Sequence, residues 1–452
     1  MCRFNRFDLS NPVFWPLRII SEIVNGQFAL FLEMISKEKV KHALNHLPGG
    51  AVPVDFGSTP VTGIHVWTVA RLREYYGLEA GPVRVIEPYQ MLGEITPDLL
   101  EVLGVDVVGI SPPRNIFGIE NKGPWREFKT FWDQEVLVPA DFTTRTDENG
   151  DLLIFPGGDI SAPPCAKMPR ASYFFDALIR QSPIEEDKLD PRDNLEEFTP
   201  VTDADLAYWA ASIDSAGAEG RAVIANFGGT AFGDIALVPA MNLKYPRGIR
   251  DIAEWYMSVL MRPDYIHAIF DAQCGIAISN LKRLFDVVGN RVDVAFLCGT
   301  DFGTQDSQFC DPGTLRDLYG PYYGRINDWI HTNTTWKTFK HSCGAIEPLI
   351  DTFIDVGFDI INPVQINARG MDPHHLKEKF GDRIVFWGGG VDTQKVLAFG
   401  TPAEVRRQVL DQCRIFSVNG GFVFNTVHNI QANVPVENIA AMVEAIAEFN
   451  RG

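Results

Sequence analysis

The tetrad His341-Ser342-Cys343-Gly344 sets an imidazole and a thiol two residues apart at the end of the aromatic and β-branched run 335–341 (TWKTFKH). If the chain leaves the pleat after His341, both side chains face the same way. Imidazole nitrogen and thiolate sulfur together suit Zn2+, which takes borderline and soft ligands. One histidine and one cysteine make a weak motif, since a lone cysteine more often packs as a small hydrophobe. Two more donors end comparable runs: His428 follows 421–426 (GFVFNT), and Cys298 closes 292–298 (VDVAFLC). Either one completes a three-residue metal set, and the sequence leaves the choice open. His428 could instead hold a loop carbonyl, and Cys298 a place in the core.

Other polar residues end the same kind of run. Asp55, Asp301 and Asp392 are candidate catalytic groups, acting on substrate or by orienting a metal ligand. Each could equally cap the helix that follows it. Gln305, Gln365, Trp387 and Asn425 are candidate substrate contacts. Gly388-Gly389-Gly390 suggests a close approach of ligand or backbone, but without a dinucleotide-binding or P-loop pattern.

What must position these residues is a repeated unit: a short β-branched run, a Gly- or Pro-bearing turn, then an amphipathic helix. That alternation predicts an α/β fold with a parallel sheet and crossover helices. Eight runs qualify, at 52–57, 106–110, 222–228, 292–298, 335–341, 358–363, 384–389 and 421–426. Eight is the closing number of a (β/α)8 TIM barrel, whose active sites lie at the C-terminal ends of the strands. The later helices are well marked. Thr401-Pro402-Ala403-Glu404 is a capping box, followed by Val405, Val409, Cys413 and Phe416 on one face. Ile439, Met442, Val443, Ile446 and Phe449 form the last such stripe.

The rhythm breaks at about 115–215, where Asn149-Gly150 sits between two alternating runs, a strong hairpin signal. This stretch reads as an insertion after the second strand that decorates the barrel mouth. Residues 1–33 read as an N-terminal helical extension, and 34–452 as the barrel domain. Residues 12–33 are apolar, yet Arg18, Glu22 and Glu33 interrupt them, so no membrane span of about 20 apolar residues exists. No cleavable signal pattern is visible.

The formal net charge of −18 argues against nucleic acid and anionic membrane as partners. Seven scattered cysteines, an odd number in a long chain, fit reduced thiols and a cytoplasmic location.

The segments GTDFGTQ, KHSCGAIEPLI, DIINPVQ, FWGGGVDTQKVL, GTPAEV and GGFVFNTVHNIQANVPVENI, together with the weaker VPVDFGSTPVTGIH, resemble the uroporphyrinogen decarboxylase superfamily. Within it they look like the cobalamin-dependent methyltransferase branch. The resemblance covers most of the chain after Met34 and implies a (β/α)8 barrel. It also implies a zinc site made of His-x-Cys and a distant cysteine after the last strand. His341 and Cys343 match; at the distant position stands His428, a departure. A His/Cys/Cys zinc is formally neutral, whereas His341/Cys343/His428 leaves it a single positive charge, a poorer activator of thiolate and a better Lewis acid. With Cys298 as third ligand the site would be neutral again.

True decarboxylases of the superfamily carry an arginine-rich element after the first strand. Here that place reads Asp55-Phe56-Gly57-Ser58-Thr59-Pro60, with no arginine before Arg71. The expectation is therefore a zinc-dependent methyltransferase moving a methyl group between a corrinoid protein and a small-molecule thiol, ether or amine. No cobalamin-binding motif is present, so the cobalamin would come with a partner corrinoid protein; a homodimer is open. The alternatives are decarboxylation of a tetrapyrrole and a non-catalytic corrinoid- or porphyrin-binding barrel.

Overall fold

The structure, a computed structural model, describes residues 17–24 and 27–452, those up to residue 34 as backbone only. Seven of the eight expected runs form one parallel sheet. Its order is Phe422–Val423, Val385–Trp387, Ile360–Asn362, Lys337–His341, Val294–Cys298, Ala222–Ala225, Val107–Ile110. The remaining run, 52–57, is bonded to both outer strands. Phe424 N donates to Pro53 O at 2.8 Å and Asp55 N to Phe424 O at 2.9 Å on one side. On the other, Asp106 N donates to Val54 O at 2.8 Å. Gly109 makes that approach feasible: a Cβ there would lie 1.6 Å from Ser58 O. The sheet is strongly curled, an α/β arrangement consistent with a TIM-like barrel.

Period-2 alternation sorts each strand between two cores. Val107, Ile224, Val294, Phe296, Phe339, Ile360, Val385, Trp387 and Val423 pack together on the inside. Val223, Ala295, Leu297, Ile361, Phe386 and Phe422 face the surrounding helices. Those helices follow their sequence signals. Pro402–Phe416 starts on the Thr401/Glu404 capping box and buries Val405, Val409, Cys413 and Phe416. Val436–Arg451 buries Ile439, Met442 and Ile446.

One helix has an unforeseen place. Ser36–Leu44 sends Val40, Ala43 and Leu44 into the inner core. Lys37 pairs with Asp293 at 2.9 Å and Lys39 with Asp106 at 3.3 Å, both acids just ahead of barrel strands. The helix therefore plugs the end of the sheet opposite the strands' C-termini.

The expected hairpin is present: Thr144–Thr146 pairs antiparallel with Leu152–Ile154, with Gly150 at φ 83°. Ala166–Met168 and Asp176–Ala177 extend it to four strands. A second four-stranded sheet joins Trp125–Lys129 and Glu135–Pro139 to Val83–Glu87 and Leu92–Gly93. The sequence reading did not anticipate that strands from before residue 115 take part.

The helical N-terminal extension is corrected. Leu17–Val24 and Gln27–Met34 form an antiparallel pair in the register Leu17↔Met34 to Val24↔Gln27. Ile19, Ile20, Ile23 and Val24 are β-branched, and Asn25-Gly26 between the runs is itself a hairpin signal. The rest of that extension, 1–16 and 25–26, lies outside the described residues. Among the described residues, no helix is long and apolar enough to cross a membrane.

Candidate metal centre

Above the inner apolar layer lies a polar one. His341 ends its strand two residues after Phe339, on the same face, and is 2 % exposed. Its Nδ1 is 2.5 Å from Asn362 Oδ1. Asn362 is fixed in turn because its Nδ2 donates to Trp387 O at 2.7 Å, and a carbonyl can only accept. Oδ1 is thus the atom facing His341, so Nδ1 carries the proton and Nε2 keeps its lone pair. This is the arrangement that turns a histidine into an oriented metal ligand.

Past His341 the chain turns sharply, and the loop 299–305 latches onto the turn. Asp301 Oδ1 accepts Cys343 N at 2.7 Å, Ser342 Oγ accepts Phe302 N at 2.9 Å, and Thr304 O accepts Ala345 N at 2.8 Å. Gly344 has φ 90°, and a Cβ on it would meet Gly303 C at 2.3 Å. The turn brings Cys343 Sγ to 3.4 Å from His341 Nε2. Asp301 Oδ1 lies 3.6 Å from the same nitrogen.

His428 arrives from the other side of the mouth, with its ring 5.5 Å from that of His341 and edge-on to it. Its backbone is left-handed, φ 73°, a conformation in which histidine is among the better-tolerated side chains. The ligand atoms of His341, Cys343 and His428 all lie within 4.8 Å of one another. Around a tetrahedral zinc such atoms sit about 3.5 Å apart, so a small inward shift of His428 would complete the set.

The electrostatics suit a cation. Burial holds His341 down to about 3 and His428 to about 4, the latter helped by His341. Both are therefore neutral donors near neutral pH. Burial, reinforced by Asp301, pushes the Cys343 thiol well above its ordinary range. A divalent ion supplies the charge that such a thiolate needs.

Cys298 is not part of this group, a correction to its candidacy as a metal ligand. The ladder shifts register between Phe296 and Cys298, which turns Cys298 out of the inner face. Its Sγ lies 2.7 Å from Tyr323 Oη and 2.9 Å from Thr300 Oγ1. Asp392 accepts Gln394 N at 2.8 Å and Asn367 Nδ2 at 3.1 Å, shaping its own turn rather than joining the metal group. Gln365 accepts Gly344 N at 2.8 Å and donates to Gln305 Oε1 at 2.9 Å, so both amides line the turn beneath Cys343. Trp387 and Asn425 are fully buried and lean on Asp55: Trp387 Nε1 donates to Asp55 Oδ2 at 2.9 Å, and Asn425 Nδ2 to Asp55 O at 2.6 Å. Burial raises the Asp55 carboxyl to about 6 against the lowering effect of Ser58 and Trp387.

Three residues of the site carried no readable role in the sequence. Asn362 was visible as a strand end, but its partner was not. Lys340 is fully buried, donates to Thr300 O at 2.6 Å and to His341 O, and lies 5.0 Å from the Phe302 ring. Asp234 is buried in the loop after the 222–225 strand, where burial and Asp301 hold its carboxyl up at about 6. It ends no periodic run.

Comparison with known proteins bears on the fold and on family likeness. A methyltransferase from Methanosarcina mazei superposes with a TM-score of 0.50 over 92 % of this chain and 99 % of its own, at 14 % identity. That likeness is one of fold. Uroporphyrinogen decarboxylase of Psychromonas ingrahamii is 31 % identical over 80 residues, 18 % of this chain and 22 % of its own. The enzyme of the same name from Coxiella burnetii is 28 % identical over 79 residues, 18 % of this chain. The match thus spans about a fifth of the length of these curated relatives, 21 % for the Coxiella protein. Residues 235–449, which hold Asp301, His341, Cys343 and His428, match the family profile Uroporphyrinogen decarboxylase (URO-D). Through that region the chain is similar to the uroporphyrinogen decarboxylase family.

Proposed function

We propose that this chain is a zinc-dependent methyltransferase on a (β/α)8 barrel closed by the 52–57 segment, working with a corrinoid protein. The observation that carries the reading is the convergence of His341, Cys343 and His428 at the C-terminal ends of the strands. Bound there, zinc would supply a Lewis acid that polarises the atom bearing the methyl group. His341 presents Nε2 because Asn362 holds its other nitrogen. Cys343 would ligate as thiolate and His428 would complete the grip from across the mouth. Asp301, with 29 % of its side chain exposed, is placed to hold a polar group of the substrate.

His428, rather than a second cysteine, leaves the loaded site a formal positive charge. That favours a methyl ether or amine as donor over a thiolate as acceptor. The methyl group would pass to the cobalt of the reduced corrinoid partner, and the oxygen or nitrogen would keep the bonding electrons. The test is metal analysis with a transfer assay against a reduced corrinoid protein. One zinc per chain, lost together with transfer in Cys343→Ser, supports the reading; a metal-free active protein overturns it.

The curated relatives favour a second reading, decarboxylation of a tetrapyrrole. Against it stands the 55–60 segment, which has no arginine to grip carboxylates, and the nearby Lys340, already committed to two carbonyls. Turnover of uroporphyrinogen by the metal-free protein would establish it. Tight cofactor binding indifferent to His341 and Cys343 would instead mark a non-catalytic binding barrel.

A further inference from the structure

The two four-stranded antiparallel-rich sheets, built from the insertion together with Val83–Glu87 and Leu92–Gly93, leave a cavity of about 290 Å3 between them. Its floor is Met91, Phe142, Leu152, Met168 and Phe175, each at most 8 % exposed. Phe128 and Trp132 wall it, and the more exposed Phe131 stands at the rim. Its polar boundary comes from Lys129, Thr144 and Thr146. These belong to Trp125–Lys129 and Thr144–Thr146, the outermost strands of their sheets. An outer strand carries carbonyl and N–H groups with no ladder partner on its free side. Aromatic walls joined to a polar edge are the usual lining of a small-molecule site.

We infer that this cavity is a second ligand site, taking a flat aromatic molecule of one or two rings with a polar edge. Ring faces and edges on the floor match such a molecule. Phe142 and Phe175 lie 6.2 Å apart at 76°, an edge-to-face pair that can extend to a third ring. The volume is at the lower limit for a ligand pocket, which excludes a tetrapyrrole and any corrinoid. Water over the floor of Met91, Phe142, Leu152, Met168 and Phe175 finds few hydrogen-bond partners, so an apolar ring gains by replacing it there while its polar edge meets Lys129 and the threonines.

The cavity also touches the scaffold of the mouth. Trp132 packs against His65 at 5.4 Å, and His65 N donates to Ile430 O at 2.9 Å. Gln90, next to the floor residue Met91, accepts Asn429 Nδ2 at 2.8 Å. Both contacts reach the loop that carries His428, while the cavity's lining includes no member of the metal group.

Indole is the probe. Calorimetric titration of the full chain should show one saturable site per chain with a dissociation constant of ~1 mM or tighter. Met168→Trp fills the floor and should abolish binding. Because that variant strains the core, Thr144→Trp is the companion: it closes the rim from an edge strand, where tryptophan is well tolerated, and should weaken binding at least about tenfold. Cys343→Ser and zinc removal should leave indole binding unchanged, which separates this site from the metal reading. No saturable binding by the wild type, equal binding by folded Thr144→Trp, or loss of binding in Cys343→Ser would each overturn the proposal.

Discussion

Asn362 Oδ1 and His341 Nδ1 stand 2.5 Å apart, and that contact decides which imidazole nitrogen is available to a metal. Removing the acceptor should let the ring rotate or change tautomer. Asn362→Leu is therefore expected to weaken zinc binding about 10–100-fold, the usual cost of losing a ligand's outer partner. Competition with a chromophoric chelator measures it. An unchanged affinity would mean that the hydrogen bond does not orient the ring.

His428 and Cys343 should differ in how their loss can be repaired. His428→Ala leaves two donors and should drop the metal content well below one per chain. His428→Cys should restore it and raise affinity, because a second thiolate neutralises the ion. Transfer from an ether or amine should nonetheless fall, since the site becomes a weaker Lewis acid. Atomic absorption and the transfer assay read the two effects apart.

Cys298 provides the contrast. Cys298→Ala should keep full metal content while losing contacts to Tyr323 and Thr300. The expected cost is about 1 kcal/mol, that of a lost hydrogen bond, because Thr300 and Tyr323 keep Phe232 O as an acceptor. Urea unfolding with parallel metal analysis checks both. Metal loss in this variant would return Cys298 to the ligand set.

Asp55 predicts a pH dependence of stability. Its carboxyl is raised from 3.8 to about 6 in the folded protein by burial. The native state therefore holds this proton more tightly than the unfolded chain does. The associated stability is fully present below about 4 and is lost as pH rises through about 6. The shift corresponds to about 3 kcal/mol. Asp55→Asn replaces one of the two oxygens that accept from Ser58 and Trp387 with a donor NH2, so it should be destabilising at every pH. Its cost relative to wild type should be largest near pH 4 and shrink by up to about 3 kcal/mol by pH 7. Unfolding curves at both pH values give the difference; a constant cost would show that Asp55 does not titrate in this range.

Gly109 tests the curl of the sheet. With Ser58 O only 1.6 Å from the position of an added Cβ, Gly109→Ala must push the 52–58 segment away. A loss of about 3 kcal/mol or more is expected, visible as a large fall in melting temperature. A mild effect would mean that the segment is loosely held.

The eight runs were legible because each is a short, largely apolar stretch followed by a turn and an amphipathic helix, as strands buried on both faces must be, even where the ladder is only two or three residues long. Helix boundaries were legible where a side chain makes the cap, as at Thr401. The metal half-site was legible because His341 and Cys343 are close in sequence. Its third member was not, because a one-residue irregularity at Phe296–Cys298 decides which way Cys298 faces, and spacing carries no trace of it. Asn362 and Lys340 act through partners 21 and 40 residues away, beyond any local pattern. The antiparallel pair near the N-terminus departs from the helical expectation for a different reason: its apolar content suits helix and strand alike, and only the β-branched residues and Asn25-Gly26 favour strands.

The loop that delivers His428 is tied to the other end of the chain. Asn429 Oδ1 accepts Gly63 N at 2.6 Å, and Ile430 N donates to Gly63 O at 2.9 Å. First and last strand segments therefore meet at the loop that carries His428, and an ion held by His341, Cys343 and His428 would tie that loop to the Lys337–His341 strand across the mouth. Its binding free energy adds to the cohesion of the joint. A chelator would thus loosen the joint before the rest of the fold, and a protease would find its first cut there.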